Sequence, residues 1–371
     1  MRIVHVYKDF FPPVYGGVEQ TIHHLAVGHA REGHEVTVLC SAHGARRTEE
    51  DTFENVRVIR VAEWGRALST PFCPSMPWHL GRMRADVFHL HFPNPLGELS
   101  WLATRPRGAL VVTYHNDIVR QSALLPVYGM FVHAILRRAD VILPTSAPQI
   151  EGSPFLRRYR EKCRVVPSGV DLRRFRSSEP VLARARAIRE LYGAPLVVFV
   201  GRLRYYKGVD VLLEAMRDVP ARLLILGDGP ELKRLRQHHS RLGLGDRAVF
   251  VGHIADEELP AHLAAADVGV LPSSHSTEGF GLSMVEMMAS GLPVVCTELG
   301  TGTTFVNRDG ESGLVVPAQD SHALAQALNR LLEDAALRQR LGEGARLRAE
   351  GLFSHEAMIA SVMEAYRTIV H

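Results

Sequence analysis

Residues 195–208 read PLVVFVGRLRYYKG: an apolar run from Leu196 to Val200, then Gly201, then a basic loop. A short run of Val, Leu and Phe without polar alternation marks a strand buried on both faces, and glycine followed by charge marks its end. Such strands are parallel, so each needs a crossover segment before the next. The same unit recurs on both sides of this stretch. Downstream come RLLILGDG (222–229), AVFVGHI (248–254), VGVLPS (268–273), PVVCTE (293–298) and GLVVPA (313–318), separated by helical segments. Upstream the strand candidates are residues 2–7, 35–40, 56–61, 86–91, 110–115, 140–145 and 163–167. Between the first two, residues 18–32 carry a helical apolar face at Ile22, Leu25, Ala26 and His29, with Gly33 placed as a C-cap. The fold class is therefore α/β, with two doubly wound domains in tandem.

The length of 371 residues agrees, because it exceeds what one hydrophobic core usually serves. Residues 170–194 lack a strand pattern and are rich in charge, which reads as a linker with a short helix. The expected division is an amino-terminal domain over 1–175, a carboxyl-terminal domain over 176–353, and a last helix over 354–371 that returns to the first domain. Ligands of open α/β sheets bind beyond the carboxyl ends of the strands, so the two domains are expected to face each other across a central cleft.

Composition excludes several classes. Hydrophobic residues make up 46% and charged residues 22%, ordinary for a globular enzyme and unlike a disordered chain. The apolar run before Lys8 and Asp9 is too short for a leader or a membrane span, so a cytoplasmic location is expected. Cys40, Cys73, Cys163 and Cys296 stand singly and read as reduced, small hydrophobes. The net charge of +3 divides unevenly: residues 1–175 hold 22 Lys+Arg against 16 Asp+Glu (+6), and the remainder 21 against 24 (−3). That excess is too small, and too poor in aromatic-basic pattern, for nucleic acid. It suits an anionic membrane surface, with Trp101, Arg105, Arg107 and RRYREK (157–162, containing Tyr159) as contacts.

Three segments carry chemistry. Gly16-Gly17 precede the helix at 18–32, where bare backbone can approach a ligand and the helix start directs N–H groups at an anion. Arg202 and Lys207 lie on one loop at a strand's carboxyl end, where a diphosphate needs cations as its leaving-group charge develops. Lys207 is one of only four lysines beside 39 arginines, although codon bias explains that scarcity as well. Glu278 and Glu286 enclose GFGLSMV, a glycine-rich helix start whose N–H groups at Phe280, Gly281 and Leu282 suit a phosphate and a sugar. Each segment also has a plain structural reading: a steric glycine turn, a solvated basic loop, an acidic helix cap. The segment after the first strand has no G-x-G-x-x-G, which counts against a dinucleotide oxidoreductase. His89 and His91 in HLHF resemble metal ligands, but with no third ligand visible they read as strand-end packing. Asp9, Asp117 and Asp228 are lone aspartates, and no D-x-D segment is placed to hold a cation.

Together GG (16–17), His115 at a strand end, R-x4-K (202–207), GDGP (227–230) and E-x7-E (278–286) resemble the retaining GT-B glycosyltransferases of family 4 over nearly the whole chain. HVYKDFFPPVYGGVEQ, TYHNDIVRQ, RYYKG and ELGTGTTFVN are further similar to bacterial O-antigen mannosyl- and rhamnosyltransferases. The resemblance implies two Rossmann-like domains, the first for the acceptor and the second for the nucleotide sugar. It gives Arg202 and Lys207 the diphosphate, Glu278 the sugar hydroxyls, Glu286 the ribose, and His115 the region of the sugar's 6-hydroxyl. Gly16 and Gly17 would lie on the phosphate side, and Gly252 and His253, within Val251–Ile254, beside the base. His115, Arg202, Lys207 and Glu278 form the expected catalytic set, with Asp117 and Tyr15 on the acceptor side. His115-Asn116-Asp117 has one residue more than the family's commoner His-Asp pairing.

The implied donor is GDP-mannose or GDP-rhamnose, and the acceptor a glycan or polyprenyl-linked glycan of O-antigen synthesis at the inner face of the cell membrane. No metal and no cofactor are expected, and transfer would retain the anomeric configuration. The alternatives are an epimerase or a phosphorylase of the same architecture, and a non-catalytic sugar-nucleotide scaffold. A phosphorylase would require a pyridoxal lysine, for which the second domain offers only Lys207 and Lys233.

Overall fold

A computed structural model describes residues 1–14, 16–67, 70–117 and 125–370, and of residues 125–127 the backbone alone. The chain divides into two compact units, Met1–Gly169 together with the chain from His355 onward, and Val170–Ser354.

The first unit holds β1 (Arg2–Val6), β2 (Glu35–Ser41), β3 (Glu49–Phe53), β4 (Val56–Val61), a small hairpin of β5 (Arg66–Ala67) and β6 (Thr70–Pro71), then β7 (Val87–Phe92), β8 (Ala109–Tyr114) and β9 (Val141–Pro144). Seven of these form one sheet in the order β3-β4-β2-β1-β7-β8-β9, parallel except at the β3–β4 edge. Alternate residues split between two cores, as the two-residue period of a strand demands. Val4, Val6, Phe88, Leu90, Phe92, Leu110 and Val112 pack on one face, with Met76, Leu80, Val132 and Ile135 from helices. Ile3, Val36, Val38, Val87 and Val111 pack on the other, against Ile22, Leu25 and Ala26 of helix Gly17–Arg31 and Met358, Val362 and Tyr366 of helix His355–Arg367.

The second unit holds β10 (Leu196–Val200), β11 (Arg222–Leu226), β12 (Ala248–Gly252), β13 (Val268–Leu271), β14 (Val294–Glu298) and β15 (Gly313–Pro317). They form a wholly parallel sheet in the order β12-β11-β10-β13-β14-β15. Both units are thus Rossmann-like. Sequence order reverses between β1 and β7 in the first sheet and between β10 and β13 in the second, and such switch points open crevices at the strands' carboxyl ends.

Two readings of the sequence need correction, and one strand has no counterpart among them. Residues 163–167 form no strand; Cys163 makes one isolated bridge to Ile142, and Arg164 and Val166 donate to the β9 carbonyls of Ile142 and Pro144. Residues 170–194 are not a linker with a short helix, since helix Glu179–Tyr192 spans 14 residues and Val170, Phe175, Ala185 and Ile188 sit in the second unit's core. That packing also draws residues 170–175 out of the first domain. Strand β3, reading EEDTF, is exposed along most of its length and was hidden by its charge.

Candidate active site

In the second unit, the β10/β13 switch point brings the loop after β10 against the loop after β13. The Lys207 ammonium lies 2.6 Å from Glu278 Oε2, and Ser273 Oγ donates to the same oxygen at 2.9 Å. Lys207 and Glu278 are both buried. Burial alone would lower the lysine pKa, but Glu278, with Tyr206 and Glu286, holds it above the ordinary value. Ser274 N–H donates to the Tyr206 carbonyl at 2.8 Å, tying the two loops together.

Glu278 leads into helix Leu282–Ala289, whose N-cap Gly281 adopts φ 86° and supplies no side-chain cap. That conformation favours glycine, and a Cβ there would also come within 2.7 Å of Leu271. The helix start therefore keeps backbone donors for an anion. Phe280 is buried against Phe353, with ring centroids 5.7 Å apart, which pins the loop. Glu286 is partly buried on the same helix; burial raises its carboxyl to about 7, against the pull of Arg174 and Lys207.

Arg202 is exposed and, among the described residues, forms no ion pair. Its loop is buttressed by GDGP. A Cβ on Gly227 would meet the Gly201 carbonyl oxygen at 2.1 Å and one on Gly229 the Leu203 oxygen at 2.3 Å, while Leu203 N–H donates to Asp228 O. Gly252 ends β12 with φ 86° and no neighbour crowding its Cβ position, and His253 is exposed beside it.

In the first unit, Gly16 is the N-cap of helix Gly17–Arg31 with an extended φ of −161°. What its bareness admits is Glu19: a Cβ on Gly16 would stand 2.2 Å from that carboxylate. Tyr15 lies outside the described residues. His115 closes β8, buried, with burial lowering its pKa to about 3, so the ring is neutral. Asp117 is partly buried and already held, since Tyr114 Oη and Ser153 Oγ both donate to its Oδ1 at 2.5 and 2.7 Å. Asp9 is likewise spent, in a bidentate pair with Arg66 at 2.7 and 2.8 Å.

His89 and His91 do have a third histidine beside them. His5 is paired with His89 in the β1/β7 register, and one nitrogen from each of the three rings lies within 4.8 Å of the others. These nitrogens are largely engaged. His5 Nδ1 and His91 Nε2 are 3.0 Å apart, and both nitrogens of His89 contact hydroxyls, Tyr366 Oη at 2.5 Å and Thr113 Oγ1 at 2.6 Å.

Residues 15–174 match the model "Glycosyltransferase Family 4" and residues 184–348 the model "Glycosyl transferases group 1". The chain belongs to the group 1, family 4 glycosyltransferases. It is 33% identical over 372 residues to the O-antigen chain mannosyltransferase C of Escherichia coli, covering 100% of this chain and 99% of that one. It is also 33% identical to the D-rhamnosyltransferase WbpZ of Pseudomonas aeruginosa over 366 residues, covering 95% and 92%. Among solved structures, the sucrose-phosphate synthase of Thermosynechococcus elongatus matches with a TM-score of 0.83 and 26% identity over 99% of this chain and 98% of that one. The fold is GT-B.

The site of this glycosyltransferase holds groups that sequence reasoning passed over. Among the described residues, the Ser283 and Thr277 hydroxyls are buried without a partner, one in the first turn of helix Leu282–Ala289 and one beside Glu278. Hydroxyl residues in a loop give no signal until the fold removes them from water. Trp101, expected at a membrane face, is instead in the core. Tyr159 is partly buried, its hydroxyl donating to the His133 carbonyl. Exposed Arg82, Arg84, Arg105 and Arg107 line a groove of about 870 Å³ at the amino ends of β1, β7 and β8, the edge opposite His115. Trp78, 58% exposed, lies under Arg82 at 4.6 Å. Among the described residues no helix is long and apolar enough to cross a membrane, and all four cysteines are free.

Proposed function

We propose that this glycosyltransferase moves a hexose, mannose or a related sugar, from a GDP-sugar to a glycan or lipid-linked glycan, with retention of anomeric configuration and without a metal ion. The observation that carries the reading is the buried Lys207–Glu278 pair at the uncapped start of helix Leu282–Ala289. A nucleoside diphosphate sugar needs cations and N–H donors for its phosphates and a carboxylate for its hydroxyls, and this arrangement offers all three within one loop contact. Lys207 would turn toward the diphosphate and, with Arg202 and the N–H groups of Phe280 to Leu282, stabilise the leaving group. Glu278, relieved of part of its ion pair, would accept from the sugar hydroxyls, and Glu286 from the ribose. Gly16 and Gly17 would admit the phosphate side to the first unit, provided Glu19 is protonated or displaced; burial raises its pKa, which favours the neutral form. His115 would contact the sugar.

The choice of mannose or rhamnose draws on the names of the two bacterial relatives, and a role in O-antigen assembly on the same names. Freedom from metal draws on the cations already at the site and on the engaged nitrogens of the histidine cluster. Attachment to an anionic membrane face would use Arg82, Arg84, Arg105, Arg107 and Trp78. The reading is tested by incubating the enzyme with GDP-mannose, GDP-rhamnose and UDP-glucose, with and without a polyprenyl-linked acceptor. Acceptor-dependent release of GDP supports it, and release of UDP alone contradicts the donor assignment.

A further inference from the structure

The three rings His5, His91 and His115 make an end-to-end chain across β1, β7 and β8. His5 Nδ1 meets His91 Nε2 at 3.0 Å, and His91 Nδ1 meets His115 Nε2 at 3.2 Å. The ring centroids are 5.3 and 5.4 Å apart, close to the nitrogen–nitrogen distance plus the centroid-to-nitrogen radius of each ring. Successive planes also differ by only 23° and 20°, so the nitrogen lone pairs lie close to the lines joining the rings. All three are buried, and burial pushes each pKa below the ordinary histidine range. Three neutral imidazoles carry one N–H each, and each contact needs one donor and one acceptor. Only two arrangements satisfy both contacts. In one, every proton is on Nδ1, His115 shows an N–H at its outer nitrogen, and His5 Nε2 ends the chain as a lone pair. In the other, every proton is on Nε2, His115 shows a lone pair, and His5 ends the chain with an N–H.

Among the described residues, His5 Nε2 is buried and has no partner. The neighbouring His29 ring is stacked 6.0 Å away at 13°, and its nitrogens make no hydrogen bond to it. A buried orphan N–H is rarer than an under-satisfied acceptor, so the chain should end there in the lone pair. A metal shared by His5 and His91 would hold their nitrogens about 3.3 Å apart with both lone pairs aimed at the ion, whereas here one nitrogen faces the other directly.

We propose that His91, backed by His5, is a positioning residue that locks His115 in the Nδ1–H tautomer, so that His115 meets the donor sugar as a hydrogen-bond donor. The role at the sugar rests on the function proposed above; the tautomer does not. A hydroxyl or ring oxygen that can accept is therefore what the first unit reads in the sugar, and a deoxy analogue lacking that oxygen loses the contact.

The tautomer is read in the wild-type enzyme by nitrogen-15 NMR of labelled histidine, with the His115 signals identified by their loss in His115→Gln. Protonated Nδ1 with unprotonated Nε2 at His115 is expected, and the reverse overturns the proposal. His91→Gln should release the lock, mixing the tautomers and lowering kcat/KM for the donor about tenfold, the value of one hydrogen bond. The same change made in His115→Ala should have no further effect, because it acts through that ring. An additive loss would mean that His91 only supports the fold, and would overturn the positioning role. Wild-type transfer by His115→Ala would instead refute the sugar-site reading while the NMR result stood.

Discussion

Replacing Lys207 with alanine strands Glu278. The pair is buried, Lys207 at 9% and Glu278 at 8% exposure, with 2.6 Å between the charges. Removing one member of a buried pair destabilises by about 3–5 kcal/mol, because the other charge is left without compensation. Ser273 Oγ still donates to Glu278, which favours the lower end, about 3 kcal/mol. For a domain the size of Val170–Ser354, each kcal/mol moves the melting temperature by about 2–4 °C, so its transition should fall by about 6–12 °C. Turnover should drop about 10²–10³-fold for the loss of one preorganised charge at the leaving group. The double variant Lys207→Ala/Glu278→Ala separates the two effects. With neither charge stranded, most of the lost melting temperature should return, while turnover stays low. Calorimetry measures the first effect and transfer assays at 20 °C the second. An unchanged melting temperature in Lys207→Ala, or a double variant whose loss is the sum of the singles, would refute the reasoning.

Four further outcomes are expected. Burial holds the Glu286 carboxyl near 7, aided by Asp256 and opposed by Arg174 and Lys207; the donor's hydroxyls prefer the carboxylate, so donor Kd should rise as pH falls from 8 to 6, and Glu286→Gln should flatten that dependence in a titration. The same raised value makes ionised Glu286 unfavourable in the free fold, so its stabilising contribution is present below the ordinary glutamate pKa and is lost as pH climbs toward 7; chemical unfolding of wild type against Glu286→Gln across pH 4–8 measures this. Transfer should persist in excess EDTA, and a loss restored by Mg²⁺ or Mn²⁺ would contradict the metal-free account. Co-sedimentation with phosphatidylglycerol liposomes should weaken with salt and with Arg82→Glu/Arg105→Glu, since exposed charges are screened over about 8 Å at physiological ionic strength; no binding at low salt would remove the membrane face.

The parallel strands were legible because burial on both faces favours unbroken apolar runs, as in Leu196–Val200, which is β10 residue for residue. Strand β3 was not, since an exposed antiparallel edge carries charge in place of an apolar run. Helix Glu179–Tyr192 escaped because only Ala185 and Ile188 along it are fully buried. Arg202, Lys207, Glu278 and Glu286 stood out through their spacing around strand ends and a helix start. Spacing could not show that Lys207 and Glu278 bond to each other, which makes them a stability element as well as candidates for chemistry. Nor could it show that His5, 86 residues from His91 in sequence, completes a chain of rings, because only the β1/β7 pairing makes them neighbours. Trp101 misled for the converse reason: an aromatic near arginines looks like a surface anchor until its helix turns it inward.

The central claim is transfer of a hexose from a nucleoside diphosphate sugar with its anomeric configuration kept. Its most direct test is proton NMR of the glycan product formed from GDP-α-mannose, read at the new anomeric centre before any isomerisation or hydrolysis. The account predicts an α-linked residue, formed by wild type and lost in Glu278→Ala. A β-linkage, or an α-linked product made equally well by Glu278→Ala, would contradict it.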